Sequence, residues 1–336
     1  MAWTDIFGQA FAKQLFQSHL ASGQVPNAYL LAGPDGVGKR RLAIEMAKAL
    51  NCSLRGTTPC DACACCSQMS RLVHPDLHVM LPGGASDQLK VADIRQLLGR
   101  LALRPFSANL QVAVIVGAER LTEEAANSLL KMLEEPTAHA RFLLTTSRLS
   151  DCLPTIVSRC QLIRCEPLPD DVVARILVDA QGCVPRVAEV IARLSRGSAS
   201  YAIDLAGRWE AYGRILARLA DGGVSDWLTL PLPETRQEVA GLLEQMMGWL
   251  RDVAVTASGG SRWAAHAGQE GALRRQAGDV DLDRCLETVF GLVALRESLD
   301  QFVSPRLVAT LARERWLGLF DAPVHRRPSA VHREAE

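Results

Sequence analysis

Residues 27–50, NAYLLAGPDGVGKRRLAIEMAKAL, narrow the choice of fold more than any other stretch of the chain. A short apolar strand runs into a glycine-rich turn, and a helix opens directly from the turn. Gly33, Gly36, Gly38 and Lys39 follow the phosphate-loop pattern G-x-x-x-x-G-K-[ST] until its last position, where Arg40 replaces Ser or Thr. Strand, loop and helix in this order form half of a β-α-β unit, which calls for a parallel neighbouring strand. The following sequence supplies candidates: DLHVML (76–81), the β-branched QVAVIVG (111–117), RFLLTTS (141–147) and QLIRC (161–165). Helical patterns separate them. AFAKQLFQSHL (10–20) places Phe11, Leu15 and Phe16 at helix spacing, and VADIRQLLGRLAL (91–103) is expected to run on until Pro105 stops it. LTEEAANSLLKMLEEP (121–136) has Thr122 as its expected N-cap, Glu123 and Glu124 in the first turn, and Pro136 beyond its end. This alternation predicts an α/β domain over residues 1–166, with a parallel sheet covered by helices on both faces.

After Pro167 and Pro169 the strand signal vanishes. DDVVARILVDA, PRVAEVIARLS and SASYAIDLAG predict a small three-helix lid domain over 167–207. Longer helical segments such as RQEVAGLLEQMMGWLRDVAV and LDRCLETVFGLVALRESL predict an all-α domain over 208–322, with the Trp and Leu residues in its core. The polar tail at 323–336 is expected to be disordered. A 336-residue chain that is 48% hydrophobic has enough apolar material for two or three domains. The 37 basic and 37 acidic residues cancel, so any nucleic-acid contact has to be local. The start of the chain lacks the basic and then apolar character of a secretory signal, and no apolar run reaches the roughly 18–20 residues of a membrane span. These features predict a soluble, cytoplasmic protein with no membrane partner.

The nucleotide chemistry is incomplete at several points. A working ATPase loop needs a hydroxyl for Mg²⁺ and a carboxylate at the end of a neighbouring buried strand, usually with a second acid to orient water. Arg40 occupies the hydroxyl position, and Val116 and Gly117 stand where the acids belong. Glu119 lies two residues beyond and is expected to point elsewhere. Hydrolysis is not expected. The loop is either a tight turn opening a helix or a vestigial phosphate cradle, and weak, non-catalytic nucleotide binding through Gly33, Gly36, Gly38 and Lys39 stays open.

Five of the ten cysteines fall between Cys52 and Cys66. In a cytoplasmic setting that clustering suggests a metal, not disulfides. Cys52, Cys60, Cys63 and Cys66 are spaced C-x7-C-x2-C-x2-C, which suits a closed tetrahedral Zn²⁺ site of structural type. Cys65 competes with Cys66 for the fourth place. Free or redox-active thiols and an iron–sulfur cluster are the alternatives.

The stretches FGQ (7–9), NAYLLAGPDGVGK, the cysteine insert at 52–66, AANSLLKMLEEP (125–136) and SRC (158–160) resemble the clamp-loader branch of the AAA+ family. The match covers roughly the first 200 residues, and the last third resembles the family only in length and helicity. The resemblance implies a RecA-like AAA+ domain with an inserted zinc module, then a lid, then a helical collar that joins subunits. It also implies partners: gamma/tau and delta subunits in a hetero-pentamer, the beta sliding clamp indirectly, and primed DNA through the assembly. The motor subunits of this family carry the loop Thr, the acid pair and a lid arginine, whose place Ser200 takes here. These departures imply a non-hydrolysing stator subunit of a DNA polymerase III loader. Arg159, in SRC, then serves as an arginine finger acting in trans on a neighbour's ATP. Arg95, Arg100 and Arg104 on one helix and Lys131 on another would face DNA, or are merely solvated. The rival readings are a gamma/tau-like motor ATPase and a zinc-bearing DNA-binding module.

Overall fold

The computed structural model describes residues 3–83, 87–221, 227, 231–266, 268–301 and 303–320. The chain divides into two compact units, Met1–Ile203 and Asp204–Glu336.

In the first unit the described strands are β1 (Ala28–Ala32), β2 (Leu77–Met80), β3 (Gln111–Val116), β4 (Ala140–Thr146) and β5 (Gln161–Arg164). They form one parallel sheet in the order β2-β3-β4-β1-β5. All five residues of β1 are buried, as expected for a strand covered on both faces. Alternate residues divide between two cores. Tyr29, Leu31, Val114 and Leu143 pack on one face with α1 (Ala10–Ser22) and α2 (Lys39–Asn51). Leu30, Ala113, Ile115 and Leu144 pack on the other with α4 (Val91–Leu101) and α5 (Glu123–Glu134). A short helix in the cysteine insert, α3 (Ala64–Ser70), packs on α2, and α6 (Pro154–Val157) precedes β5. The unit continues through α7 (Asp170–Gln181), α8 (Pro185–Ser195) and the start of α9 (Ala199–Gly207).

Local chemistry sets the ends of these elements. Thr122 Oγ1 accepts from Ala125 N, which makes it the N-cap of α5 as its sequence position predicts. The helix expected to reach Pro105 ends instead at Leu101. The carbonyls of Leu103 and Arg104 are taken by Gln111 Nε2 at 3.1 and 3.2 Å, and His139 Nε2 also contacts the Leu103 oxygen. These tertiary bonds replace the next helical turn, so Arg104 lies beyond the helix that carries Arg95 and Arg100.

The second unit is helical where it is described: α10 (Trp209–Asp221), α11 (Arg236–Ala257), α12 (Glu270–Asp279), α13 (Leu282–Asp300) and α14 (Pro305–Phe320). Its core includes the fully buried Trp227, Trp249 and Trp316. Gln276 links two elements, accepting from Trp249 Nε1 at 2.7 Å and donating to Leu219 O at 2.6 Å. Thr235 and Glu238 form a capping box that fixes the start of α11. The tail at 323–336 lies outside the described residues. None of the ten cysteines forms a disulfide. No described helix is long and apolar enough to cross a membrane.

Candidate functional site

The glycine loop lies at the carboxyl edge of the sheet, between the ends of β4 and β5. Gly33 N donates to Thr146 O at 3.1 Å, and Cys165 N donates to Ala32 O at 2.7 Å. A Cβ on Gly33 would stand 2.1 Å from the Cys165 carbonyl oxygen, so no larger residue fits there. Gln9, from the FGQ stretch, fastens the loop to the end of β5. Its Nε2 donates to Val37 O at 3.3 Å and Glu166 O at 2.7 Å, and its Oε1 accepts from Glu166 N at 3.0 Å.

The loop keeps the expected shape, but its polar groups engage the chain itself. Lys39 is buried, and its Nζ donates to the loop carbonyls of Gly33 at 2.6 Å and Pro34 at 2.7 Å. Burial pushes the Lys39 ammonium below its ordinary pKa, against the opposing pull of Asp35. Gly36 adopts a left-handed φ of 78°, and its carbonyl accepts from Ala199 N at 3.0 Å at the start of α9. The hydroxyls of Ser198 and Ser200 would lie 2.1 and 2.2 Å from a Cβ at Gly36, so the start of α9 packs directly on the loop. Ser200 packs against the loop backbone, its N–H donating to Gly36 O at 3.4 Å.

A cavity of about 550 Å³ opens beside the loop, lined by residues including Phe7, Lys39, Arg40, Val116, Gly117 and Ser200. Glu119 also lines it, contrary to the sequence expectation that it points away. The cause is local. Gly117 turns the chain at φ 76°, and residues 118–120 form a single 3-10 turn. Glu119 Oε1 accepts from Ser147 N at 3.1 Å and Ser147 Oγ at 2.5 Å. Burial raises the Glu119 pKa, but the Ser147 donors outweigh it and hold the carboxyl below its ordinary value. The cavity thus holds an acid, placed by the Ser147 contacts and not by the end of β3.

The second candidate is the cysteine insert. The sulfurs of Cys52, Cys60, Cys63 and Cys66 all lie within 4.8 Å of one another, and Cys60 Sγ is 4.0 Å from Cys66 Sγ. Tetrahedral zinc with Zn–S bonds of about 2.3 Å implies S–S separations of about 3.8 Å, so the donor set fits that ion. The group includes Cys66 and not Cys65. Each turn of the insert presents an amide to a sulfur. Cys60 N donates to Cys52 Sγ at 3.4 Å, Cys63 N to Cys60 Sγ at 3.3 Å, and Cys66 N to Cys63 Sγ at 3.4 Å. Burial raises the Cys63 pKa, but backbone donors from Cys66 and Ser53 outweigh it and bring the thiol down to about 6. Burial pushes the thiols of both Cys65 and Cys66 up, so position and not titration separates them.

Arg159 follows α6 and is exposed. Its Nη1 donates to Thr155 O at 3.1 Å and Ser158 Oγ at 3.3 Å, and its Nη2 pairs with Glu134 at the end of α5. Arg95, Arg100 and Lys131 are also exposed. The roles of Gln9, Glu119 and Glu134 were missed from sequence, since each depends on contacts with distant segments.

A family model described as DNA polymerase III, delta subunit, matches residues 8–169. The delta' subunit of Bacillus subtilis is 32% identical over 186 residues, covering 55% of this chain and 56% of that protein. The delta' subunit of Pseudomonas aeruginosa is 38% identical over 147 residues, 44% of each chain. Over its first half the chain is similar to DNA polymerase III delta' subunits. The tau subunit of Escherichia coli is 30% identical over 276 residues, covering 78% of this chain and 41% of tau. The chain thus spans about half the length of the curated relatives it matches. Among solved structures, a gamma subunit-related protein from Thermotoga maritima covers 91% of this chain and 99% of its own, with 15% identity and a TM-score of 0.44. The RuvB branch-migration motor of Thermotoga maritima covers 83% and 91%, with 18% identity and a TM-score of 0.45.

Proposed function

We propose that this chain is the non-hydrolysing stator of a DNA polymerase III clamp loader. It would assemble with gamma/tau and delta subunits in a hetero-pentamer that places the beta sliding clamp on primed DNA. In this reading residues 1–166, 167–207 and 208–322 act as AAA+ domain, lid and collar, and the four cysteines hold a structural Zn²⁺. The observation that carries it is the state of the glycine loop. Lys39 is spent on its own loop carbonyls, Val116 and Gly117 offer no carboxylate at the end of β3, and Arg40 replaces the metal-binding hydroxyl. The loop amides and Lys39 provide a vestigial phosphate cradle without hydrolysis.

The chain's contribution to chemistry is then indirect. Arg159 is exposed and would reach a neighbouring subunit's nucleotide. There a guanidinium stabilises charge on the transferring phosphoryl group and contributes on the order of 10³-fold or more in rate. The purified chain should show no ATP turnover with Mg²⁺, primed DNA and clamp. Arg159→Ala should then lower turnover by the reconstituted loader on the order of 100-fold, with assembly intact by gel filtration. An unchanged rate removes the finger.

A motor of gamma/tau type is the second reading. It draws on the tau match over 78% of this chain and on the carboxylate of Glu119 in the cavity. Turnover by the isolated chain that is lost on Glu119→Gln would favour it over the stator.

A further inference from the structure

The helix α2 starts at the glycine loop and ends at the cysteine insert, with Cys52 as its C-cap. In its third turn stands Lys48, whose side chain is fully buried. Its Nζ donates to both carboxylate oxygens of Glu45 at 2.8 Å, and Glu45 is fully buried too. Glu45 already supplies one negative charge for the one positive charge. Lys48 nonetheless pairs with a second carboxylate, that of Asp61, which reaches in from the insert. The Asp61 carboxylate keeps 29% of its surface exposed, so the pair joins the buried lysine to the surface of the insert.

Asp61 lies between two of the clustered cysteines, Cys60 and Cys63. It takes a left-handed backbone, φ 57°, a conformation rare outside glycine that Asp adopts more readily than most. In that conformation its carboxylate faces Lys48. Cys52 and Cys66 are set by α2 and α3, and both are buried. Cys60 and Cys63 sit half-buried on an irregular loop, where the amide-to-sulfur bonds run within the cluster itself. The Lys48–Asp61 pair ties that loop to the body of the domain.

We propose that Asp61, gripped by the buried Lys48, is a positioning residue of the four-cysteine site. It holds Cys60 and Cys63 against Cys52 and Cys66. The affinity of the site for Zn²⁺ therefore depends on an ion pair outside the ligand set. Partners of this kind orient ligands, and their loss typically weakens metal binding 10–100-fold. This inference rests on the reading that the four cysteines hold a metal.

The test is the zinc affinity of the full-length chain, measured by competition with a chromophoric chelator. Asp61→Asn leaves the Lys48–Glu45 pair intact and should bind zinc about 10–100-fold more weakly. Asp179→Asn, an exposed change of the same kind, should not move the affinity. Co²⁺ substituted for zinc should give the same thiolate-to-metal absorption in wild type and Asp61→Asn, showing that all four sulfurs still ligate. Lys48→Met should weaken binding similarly. It strands Glu45 in the core, so circular dichroism must first show a folded chain, and Asp61→Asn carries the test if it is not. Wild-type affinity in Asp61→Asn overturns the positioning role alone. A wild-type chain that binds neither Zn²⁺ nor Co²⁺ overturns the metal reading and this inference together.

Discussion

One helix joins two sites that have gone opposite ways. At the start of α2 the glycine loop has the shape of a ligand site, but its groups are engaged by the protein. Lys39 binds loop carbonyls, the start of α9 caps the Gly36 carbonyl, and Ser147 holds Glu119. At the other end, four sulfurs converge within 4.8 Å and are supported mainly by backbone amides. Amides that donate to sulfur favour thiolates, and clustered thiolates repel one another unless a cation sits among them. On the proposed reading, the difference teaches how a retired site differs from a working one. Its geometry survives because the fold still needs the turn, while its charges find partners inside the chain. A working site leaves matched groups that the protein alone does not satisfy.

The comparison breaks most visibly at the cysteine end. Stripping the metal with a strong chelator, or Cys66→Ser, should destabilise the first unit by several kcal/mol, on the order of 5. Cys65→Ser should change stability by less than about 1 kcal/mol. Thermal melts with and without added zinc read both, and equal effects of the two substitutions would dissolve the ligand assignment. At the loop end, the constraint is steric. Gly33→Ala puts a methyl 2.1 Å from a backbone oxygen that cannot retreat without moving β5, and should cost about 1–3 kcal/mol in a urea titration. Tolerance of alanine there would mean that the loop no longer needs its shape.

The smallest effect is electrostatic. The Glu119 carboxyl is held below its ordinary value of 4.5, so its ionised form stabilises the folded chain. That contribution is complete above pH 4.5 and is lost as pH falls through the lowered folded value. Glu119→Gln should therefore cost about 1 kcal/mol at neutral pH, with the two proteins converging in acid. A difference that persists unchanged at pH 3 would show that the charge plays no part in holding the loop.

Much of the sheet could be read from sequence because its strands are buried on both faces, and uninterrupted apolar runs such as QVAVIVG are hard to place otherwise. The N-cap of α5 was equally readable, since Thr122 bonds three residues ahead. Failures came where a distant side chain decided the outcome. The segment just past α4 is held by Gln111 and His139, which bond the carbonyls of Leu103 and Arg104 from distant positions. The direction of Glu119 depends on Ser147, 28 residues away. The short helix α6, which presents Arg159, gave no periodic signal because it has a single turn.

The order of residues by itself determined the α/β alternation, the glycine turn, the absence of acids at 116 and 117, and the clustering of cysteines. These are matters of composition and local spacing. Tertiary structure alone decided that Cys66 and not Cys65 completes the sulfur cluster. A one-residue shift on α3 turns a side chain by about 100°, and only the packing of α3 on α2 says which face points inward. It also decided that Lys39 is engaged and that Lys48 reaches across to Asp61. Burial removes water as a partner, so each charge must pair with whatever group the fold brings within reach.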